Sequence, residues 1–342
     1  MTNRGFITGV SGLILNDAER EFIRAERPWG FILFKRNIES PAQVAALIGE
    51  LRKAAGMAEA PVLIDQEGGR VQRLGPPHWP VYPPGAAFST LYDTDSALGL
   101  TAARLSARLI ASDLADLGIT VDCLPLADVP VQGADAVIGN RAYGTEPGKV
   151  AAIARAVTEG LEQGGVLPVL KHIPGHGRAT ADTHFKLPTV DTPREELERT
   201  DFAAFKPLAD LPMAMTAHVV FSAVDPAHPA TTSATMIAQV IRGTIGFQGL
   251  LMSDDVSMNA LAGTIGERTR AIFAAGCDVA LHCNGNLEEM REVADLTPEL
   301  TGRALARANA ALASRKAPQP FDRAVARAEL DALIARANTA SA

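Results

Sequence analysis

The fold is indicated by stretches such as LPVLKHIPGHG at residues 167–177. Its first five residues form a short apolar run that ends in Lys171, and a loop rich in glycine and proline follows. A strand buried on both faces of a parallel sheet has such a continuous apolar pattern, whereas a half-exposed strand alternates apolar and polar residues. The chain contains a series of these runs, and each is a candidate strand. They lie at 6–13, 31–34, 61–65, 119–125, 167–171, 213–217, 250–254 and 278–282.

Amphipathic stretches separate these runs and predict helices. Several end at a glycine, such as Gly118 and Gly276, which accepts the positive φ that often follows a last helical turn. Strands that alternate with helices in this way predict an α/β protein with a single domain over residues 1–342, a (β/α)8 TIM-type barrel with extra C-terminal helices after about residue 285. A doubly wound open sheet is the alternative, because one miscounted strand would change the fold. The predicted helices are 17–25, 41–55, 96–117, 148–163, 193–209, 233–242 and 266–275.

Composition excludes several classes of protein. Apolar residues make up 47% and charged residues 21% of the chain, which is typical of a globular protein. The net charge is −7 and the basic residues are scattered, so nucleic acid is not an expected partner. No run approaches the ~20 apolar residues of a membrane span, and no secretory signal pattern opens the sequence. The three cysteines lie in apolar runs, which favours buried thiols in a reducing compartment, and we expect a cytoplasmic protein.

Polar residues follow nearly every predicted strand, while the strand starts lack them. In a parallel α/β barrel the catalytic groups collect at the carboxyl ends of the strands, because the loops there meet over one opening. Charges without a function would be expected at both ends of the barrel. This asymmetry therefore predicts an enzyme. The residues concerned include Asp65, Asp128, Lys171, His218, Asp254 and His282.

The densest cluster of titratable residues lies in the loop 171–184. Asp182 and His184 are separated by one residue, so the carboxylate can hold one imidazole nitrogen and leave the other for proton transfer. A zinc site built from Asp182 and the three histidines of the loop is the competing interpretation, although the His-x-His pair of barrel metallohydrolases is absent. A third interpretation is that one or two of His172, His176 and His184 only brace the loop through hydrogen bonds.

A second cluster, DQEGGRVQR at residues 65–73, follows the third predicted strand. Its carboxylates and arginines suit a polyhydroxylated ligand, because carboxylates accept hydrogen bonds from hydroxyl groups and guanidinium groups donate them. For at least one of Glu67 and Arg70 we expect only an ion pair at the rim of the barrel.

A third cluster ends the seventh predicted strand, where LLMSDD at 250–255 places two carboxylates side by side. An acidic residue at the end of an apolar strand costs free energy unless it is paired or catalytic. Neighbouring residues of a strand face opposite sides, so one of Asp254 and Asp255 should face the opening. The periodicity of the strand does not choose between them.

Four motifs together resemble glycoside hydrolase family 3, in the family's order over about residues 6–300. The resemblance implies a short, single-domain retaining hydrolase that removes terminal β-linked N-acetylglucosamine from muropeptides during cell-wall recycling, with no metal or other cofactor. Ile173 stands where phenylalanine is usual, and Thr183 where serine is usual. The motifs are IDQEGGRVQR at 64–73, KHIPGHG at 171–177, DTH at 182–184 and SDD at 253–255.

The resemblance also implies the roles of individual residues. Asp254 would be the nucleophile, and His184 would be the acid/base, supported by Asp182. This scheme differs from the common one, in which both groups are carboxylates. The residues implied to bind the sugar are Asp65, Arg73, Arg141, Lys171 and His172.

Three other functions remain open at this point. A β-N-acetylglucosaminide phosphorylase could use the same scaffold, since a histidine does not repel phosphate as a carboxylate would. A metal-dependent barrel hydrolase and a catalytically silent sugar-binding protein are the others. In each case the expected partner is a small carbohydrate, and we expect a monomer or weak dimer.

Overall fold

Parallel strands form a closed barrel in the computed structural model, which describes residues 3–179 and 187–340. Each of the predicted strands is present, although most of the bounds differ by a few residues. The barrel strands are β1 Arg4–Thr8, β2 Pro28–Leu33, β3 Val62–Ile64, β4 Val121–Asp122, β5 in two segments Leu167–Pro168 and Leu170–Ile173, β6 Met213–Thr216, β7 Leu250–Asp255 and β8 Val279–His282.

The barrel closes through β5. The first segment of β5 pairs with β4, where Val121 faces Leu167, and the second segment pairs with β6, where Ala214 faces Leu170. The strand order around the ring is therefore β5-β4-β3-β2-β1-β8-β7-β6 and back to β5. Closure confirms the TIM-type barrel over the doubly wound sheet, because an open sheet would leave two strands with free edges. In this order β3 and β7 lie on opposite sides of the ring.

The continuous apolar runs arise because both faces of each strand are buried. In β1 and β2, Ile7 and Ile32 belong to the cluster that fills the barrel, while Phe6 and Phe31 belong to the cluster between the strands and the helices. Since successive side chains alternate sides, every barrel strand except the two-residue β4 contributes to both clusters.

Helices surround the barrel, and most of the predicted ones are confirmed. Asn16 and Thr264 close capping boxes at α1 and α8, while Gly118 and Gly276 end α4 and α8 with φ of 84° and 107°. The helices are α1 Asp17–Glu26, α2 Pro41–Ala55, α3 Gly85–Thr94, α4 Ser96–Leu117, α5 Pro147–Gln163, α6 Arg194–Arg199, α7 Asp201–Phe205, α8 Ile265–Ala275, α9 Leu287–Leu296, α10 Gly302–Ala313 and α11 Arg323–Ala340.

The helix predictions failed in three places. The segment 193–209 is not one helix, because Thr200 has non-helical angles between α6 and α7 and a 3-10 turn follows at Lys206–Leu208. The segment predicted as a helix at 233–242 is a π-helix, Met236–Thr244. Helix α3 was not predicted, because it directly follows a proline-rich loop and no side chain caps its first turn.

The C-terminal segment forms α9, α10 and α11 on the outside of the barrel, as predicted. Arg327 of α11 stacks on the ring of Tyr82, 4.7 Å from its centroid, and Arg323 pairs with Asp116 of α4. In the described ranges, no helix combines the length and apolar character needed to cross a membrane.

Candidate active site

A pocket of about 310 Å³ opens at the carboxyl ends of the barrel strands. Ligand pockets in proteins commonly have volumes of about 300–1,000 Å³, so this one suits a single small ligand such as one sugar unit. Polar groups line one part of its wall and apolar side chains another. The residues that line it include Ile32, Phe34, Asp65, Glu67, Arg73, Arg141, Lys171, His172, His176, Met215, Asp254, Asp255, Met258, Leu281 and Cys283.

Lys171 is the centre of the polar wall. Its side chain is 2% exposed, and Nζ donates to Asp65 Oδ1 at 2.9 Å and to Glu67 Oε1 at 2.6 Å. Burial acts to lower the pKa of Lys171, but the two carboxylates outweigh it and raise this pKa. Burial acts to raise the pKa of each carboxyl group, but the attraction of Lys171 and the arginines leaves both pKa values below their usual range. All three groups are therefore charged at neutral pH.

Two arginines complete this wall. Arg73 donates to Asp65 Oδ2 at 3.0 Å, and Arg141 holds Glu67 in a bidentate pair with distances of 2.8 and 2.7 Å. Glu67 thus forms the ion pair that the sequence predicted for this rim, while Arg70 donates instead to the carbonyl oxygen of Val137. We call Asp65, Glu67, Arg73, Arg141 and Lys171 the mouth cluster, and it contains one more cation than anion.

Gln66 supports the mouth cluster from below and was not among the predicted site residues. It is fully buried, and its Oε1 accepts from the backbone N–H groups of Arg73 and Leu74 at 2.9 and 3.0 Å. Its own N–H donates to Asp122 Oδ1 at 3.0 Å. Burial raises the pKa of Asp122 well above its usual range, which favours the neutral form of this carboxyl group. The sequence does contain a signal for its role, since Gln66 is a polar residue placed between the apolar strand β3 and the Gly-Gly bend.

His172 forms a carboxylate–imidazole pair with Asp128. Its Nδ1 lies 2.7 Å from Asp128 Oδ2, while Asp128 Oδ1 accepts from the backbone N–H groups of His172 and His176. Burial acts to raise the pKa of Asp128, but His172 outweighs it and lowers this pKa. The carboxylate therefore orients the imidazole and leaves Nε2 of His172 available, in a side chain that lines the pocket.

His176 packs against His172, with the ring centroids 5.6 Å apart in an edge-to-face arrangement. It is 4% exposed, and burial lowers its pKa to about 4. The imidazole is therefore neutral at pH 7. Its backbone N–H, not its ring, makes the hydrogen bond to Asp128, which fits the bracing interpretation of this residue.

The two carboxylates at the end of β7 differ in their surroundings. Asp255 Oδ1 accepts from the N–H groups of Ser257 and Cys283, both at 3.0 Å, and its Oδ2 accepts from the Ser257 hydroxyl at 2.6 Å. The Asp254 side chain accepts the N–H of Asp255 at 2.8 Å. Among the hydrogen bonds of the described residues, both oxygens of Asp255 are thus occupied by Ser257 of its own loop and by Cys283 after β8, whereas one oxygen of Asp254 is available to a ligand.

Asp254 is also electrostatically prepared to carry a charge. Burial acts to raise its pKa, but the attraction of His218, His172 and Lys171 outweighs it and lowers this pKa. Asp254 is therefore a carboxylate at neutral pH. It ends β7 on the side of the ring opposite the Asp65 that follows β3.

The remaining predicted site residues, Asp182 and His184, lie outside the described residues. Within 3–179 and 187–340, no three or more His, Cys, Asp and Glu side chains are arranged to hold a metal ion. The cysteines are unpaired thiols. Cys123 and Cys277 are buried as expected, but Cys283 is half-buried and lines the pocket.

A closed α/β barrel with a sugar-sized, charged pocket at its strand ends defines a barrel enzyme for a polyhydroxylated ligand. A match to a family model defines this class more narrowly. Residues 9–312 match the model of the glycosyl hydrolase family 3 N-terminal domain. The chain therefore belongs to glycoside hydrolase family 3, and it is a glycoside hydrolase.

The chain has relatives named beta-hexosaminidase. It is 39% identical over 282 residues to the one from Alkalilimnicola ehrlichii, which covers 81% of this chain and 79% of the relative. It is 38% identical over 305 residues to that of Xanthomonas axonopodis pv. citri, with 87% and 88% coverage. Among solved structures, NagZ from Neisseria gonorrhoeae in complex with N-trifluoroacetyl-D-glucosamine superposes with a TM-score of 0.84 at 30% identity, covering 100% of this chain and 99% of that one.

Proposed function

We propose that the protein is a retaining β-N-acetylhexosaminidase that removes terminal β-linked N-acetylglucosamine from muropeptides of the GlcNAc-1,6-anhydroMurNAc type. The names of its relatives and the glucosamine derivative bound by the gonococcal NagZ support the sugar. The motif resemblance supports the muropeptide and a place in peptidoglycan recycling. We propose further that it acts in the cytoplasm as a monomer or weak dimer and needs no cofactor.

The observation that carries the proposal is that the ionised Asp254 lines the same pocket as the mouth cluster and lies across the ring from Asp65. A sugar whose hydroxyl groups bind the mouth cluster at the β3 side has its other end near β7. Asp254 would attack the anomeric carbon there, and the bond to the leaving oxygen would break. Asp65 would accept hydrogen bonds from sugar hydroxyls, while Arg73, Arg141, Lys171 and His172 would donate to the sugar.

The leaving oxygen must be protonated by a group that carries a proton at neutral pH. Asp65 and Glu67 line the pocket, but their pKa values lie below the usual range, so neither holds a proton at neutral pH. We propose that His184 donates this proton while Asp182 supports the imidazolium. After the sugar is attached to Asp254, the same histidine would take a proton from water, which then releases the sugar.

His172 is a second candidate for this proton transfer. Its 2.7 Å contact with Asp128 has the carboxylate–imidazole geometry that the sequence predicted for Asp182 and His184. Loss of the true acid should slow substrates with poor leaving groups far more than substrates with activated leaving groups. Comparing His184→Ala with His172→Ala on a dinitrophenyl N-acetylglucosaminide and on the natural disaccharide separates the two. If His184→Ala slowed both substrates equally, or neither, it would not be the acid.

The nucleophile is tested by mass spectrometry after reaction with a fluorinated N-acetylglucosaminide, which slows release of the sugar. We expect one sugar on the peptide that contains Asp254, and no label in Asp254→Asn. That variant should lose at least about a thousandfold in kcat. Labelling that persists in Asp254→Asn and disappears in Asp255→Asn would reverse the assignment.

The choice of acceptor is tested by product analysis with and without inorganic phosphate. We expect free N-acetylglucosamine in both cases. N-Acetylglucosamine 1-phosphate as the main product would favour the phosphorylase, and loss of activity with a chelator would favour the metal-dependent hydrolase.

A further inference from the structure

His218 is a fully buried histidine with no place in the sugar-binding scheme above. It follows β6, which lies next to β7 in the ring. Both ring nitrogens make hydrogen bonds. Nε2 lies 2.9 Å from the carbonyl oxygen of Asp255, and Nδ1 lies 2.7 Å from the hydroxyl of Thr231.

The partners of the ring determine where its protons lie. A carbonyl oxygen can only accept, so Nε2 carries a hydrogen and donates it to Asp255. The Thr231 hydroxyl also contacts the hydroxyl of Thr216 at 2.8 Å and the carbonyl oxygen of Ala217 at 3.0 Å. When its single proton is donated to that carbonyl, Nδ1 of His218 donates to Thr231, as Thr216 does. The imidazolium form of His218 thus places a proton in each of the four contacts.

A positive ring in this place acts on Asp254 in two ways. It holds the peptide carbonyl of Asp255, whose N–H is hydrogen-bonded to the Asp254 side chain, so it restrains the backbone that carries the nucleophile. It also supplies positive charge, and of the groups that attract the Asp254 carboxylate His218 contributes most.

We propose that His218 is a positioning residue for Asp254, which anchors the 254–255 backbone through Nε2 and balances the carboxylate charge. The inference rests on the proposed role of Asp254 as the nucleophile. When water releases the sugar, the electron pair of the broken bond returns to Asp254. A neighbouring cation stabilises the returning carboxylate, so His218 should act on the rate of this step more than on sugar binding.

The test compares His218→Phe, which loses both functions, with His218→Gln, which keeps an N–H donor but no charge. We expect kcat to fall roughly ten- to a hundredfold in His218→Phe, with a partial recovery in His218→Gln. Sugar binding should change less than about threefold. It is measured both as KM and as the inhibition constant of N-acetylglucosamine, because KM also changes when a different step becomes rate-limiting. Release of the trapped fluorinated sugar from Asp254 should slow in the same order.

His282→Gln is the matched control, because His282 is also fully buried and its Nε2 lies 3.2 Å from Glu289. Its kcat should stay close to that of the wild type. Should His218→Phe fail to fold, Thr231→Val gives the test, since it removes the partner of Nδ1 and should lower kcat with little change in binding. A folded His218 variant with unchanged kcat, or an effect on binding alone, would overturn the inference. If the wild type is not labelled at Asp254, the proposed function fails first, whatever the His218 variants show.

Discussion

The two ends of the barrel carry similar ion pairs that face different surroundings. At the amino ends of β7 and β8, Asp278 lies between Arg242 and Arg307, both at 2.9 Å, and also accepts the N–H of Leu251. The expectation that the strand starts lack charged residues is therefore wrong at Asp278. We call Asp278, Arg242 and Arg307 the base cluster. The mouth cluster likewise pairs buried carboxylates with an excess of one cation.

The difference lies in what the charges face, since the degree of burial is similar. The π-helix and α10 supply the arginines of the base cluster, whose Asp278, Arg242 and Arg307 side chains are 6%, 13% and 22% exposed and do not line the pocket. All five residues of the mouth cluster line the pocket, and their side chains range from 2% exposed for Lys171 to 28% for Arg73. The same ion-pair chemistry therefore stabilises the fold at one end and is available to a ligand at the other.

The largest effect is expected from Lys171→Met in the mouth cluster. This change leaves Asp65 and Glu67 without their shared cation, and breaking a buried ion pair costs about 3–5 kcal/mol. We expect a large fall in the free energy of unfolding together with loss of detectable turnover, measured by urea denaturation and by hydrolysis of an aryl N-acetylglucosaminide. A variant with wild-type stability would mean that the mouth cluster is not a structural ion pair at all.

Asp278→Asn in the base cluster should separate stability from activity. The amide cannot balance two arginines, so we expect a loss of roughly 1–3 kcal/mol in the free energy of unfolding. Both kcat and KM should stay at wild-type values in the folded protein, because the base cluster lies at the opposite end of the barrel from the pocket. A change of KM would contradict the contrast between the two clusters.

Arg73→Leu should impair activity and leave stability nearly unchanged, the opposite of the effect of Asp278→Asn. Asp65 keeps Lys171 as a partner, and a partly exposed ion pair contributes about 1 kcal/mol or less, so Tm should hardly change. The loss of a donor to the sugar should raise KM about tenfold. Arg155→Ala, which removes a surface pair with Asp210, is the control and should change neither quantity.

His176, which lines the pocket, should make the stability of the protein fall at acid pH. Burial lowers its pKa from 6.5 to about 4, so the unfolded chain binds a proton in this interval that the folded chain does not. Stability should therefore fall as pH falls from about 6.5 towards 4, and His176→Gln should reduce this slope in a series of Tm measurements. His228→Gln, at an exposed site, should retain it. Equal slopes in all three proteins would remove His176 as the cause.

The smallest effect is expected from Asp122→Asn beneath the mouth cluster. Burial raises the pKa of Asp122 well above its usual 3.8, so the folded protein loses stability relative to the unfolded chain as pH rises above about 4. The amide keeps an oxygen for the N–H of Gln66 and cannot ionise. We expect Tm at pH 7 to rise by a few degrees with unchanged kcat. A lower Tm would show that the buried carboxyl group is favourable.

Local patterns in the sequence were enough to predict the barrel and the position of its active end. These patterns depend on residues that are close together in the chain, so they can be recognised from the sequence alone. They include the apolar runs of the strands, helix caps such as Asn16 and helix stops such as Gly118. The polar residues that follow the strands could be assigned to one opening because parallel strands end on the same side. The break at Thr200 and the π-helix depend on packing and left no comparable signal.

Only the tertiary structure decided which of these polar residues meet. Lys171 reaches Asp65 across 106 residues of sequence and Arg141 reaches Glu67 across 74, and both pairs exist because β3, β4 and β5 lie side by side in the sheet. The periodicity of β7 left Asp254 and Asp255 equivalent, and only the family resemblance chose Asp254; the contacts that Ser257 and Cys283 make with Asp255 give the two side chains different surroundings. Types and spacings of residues are local properties, whereas partners, burial and pKa values depend on what the closed barrel places beside each side chain.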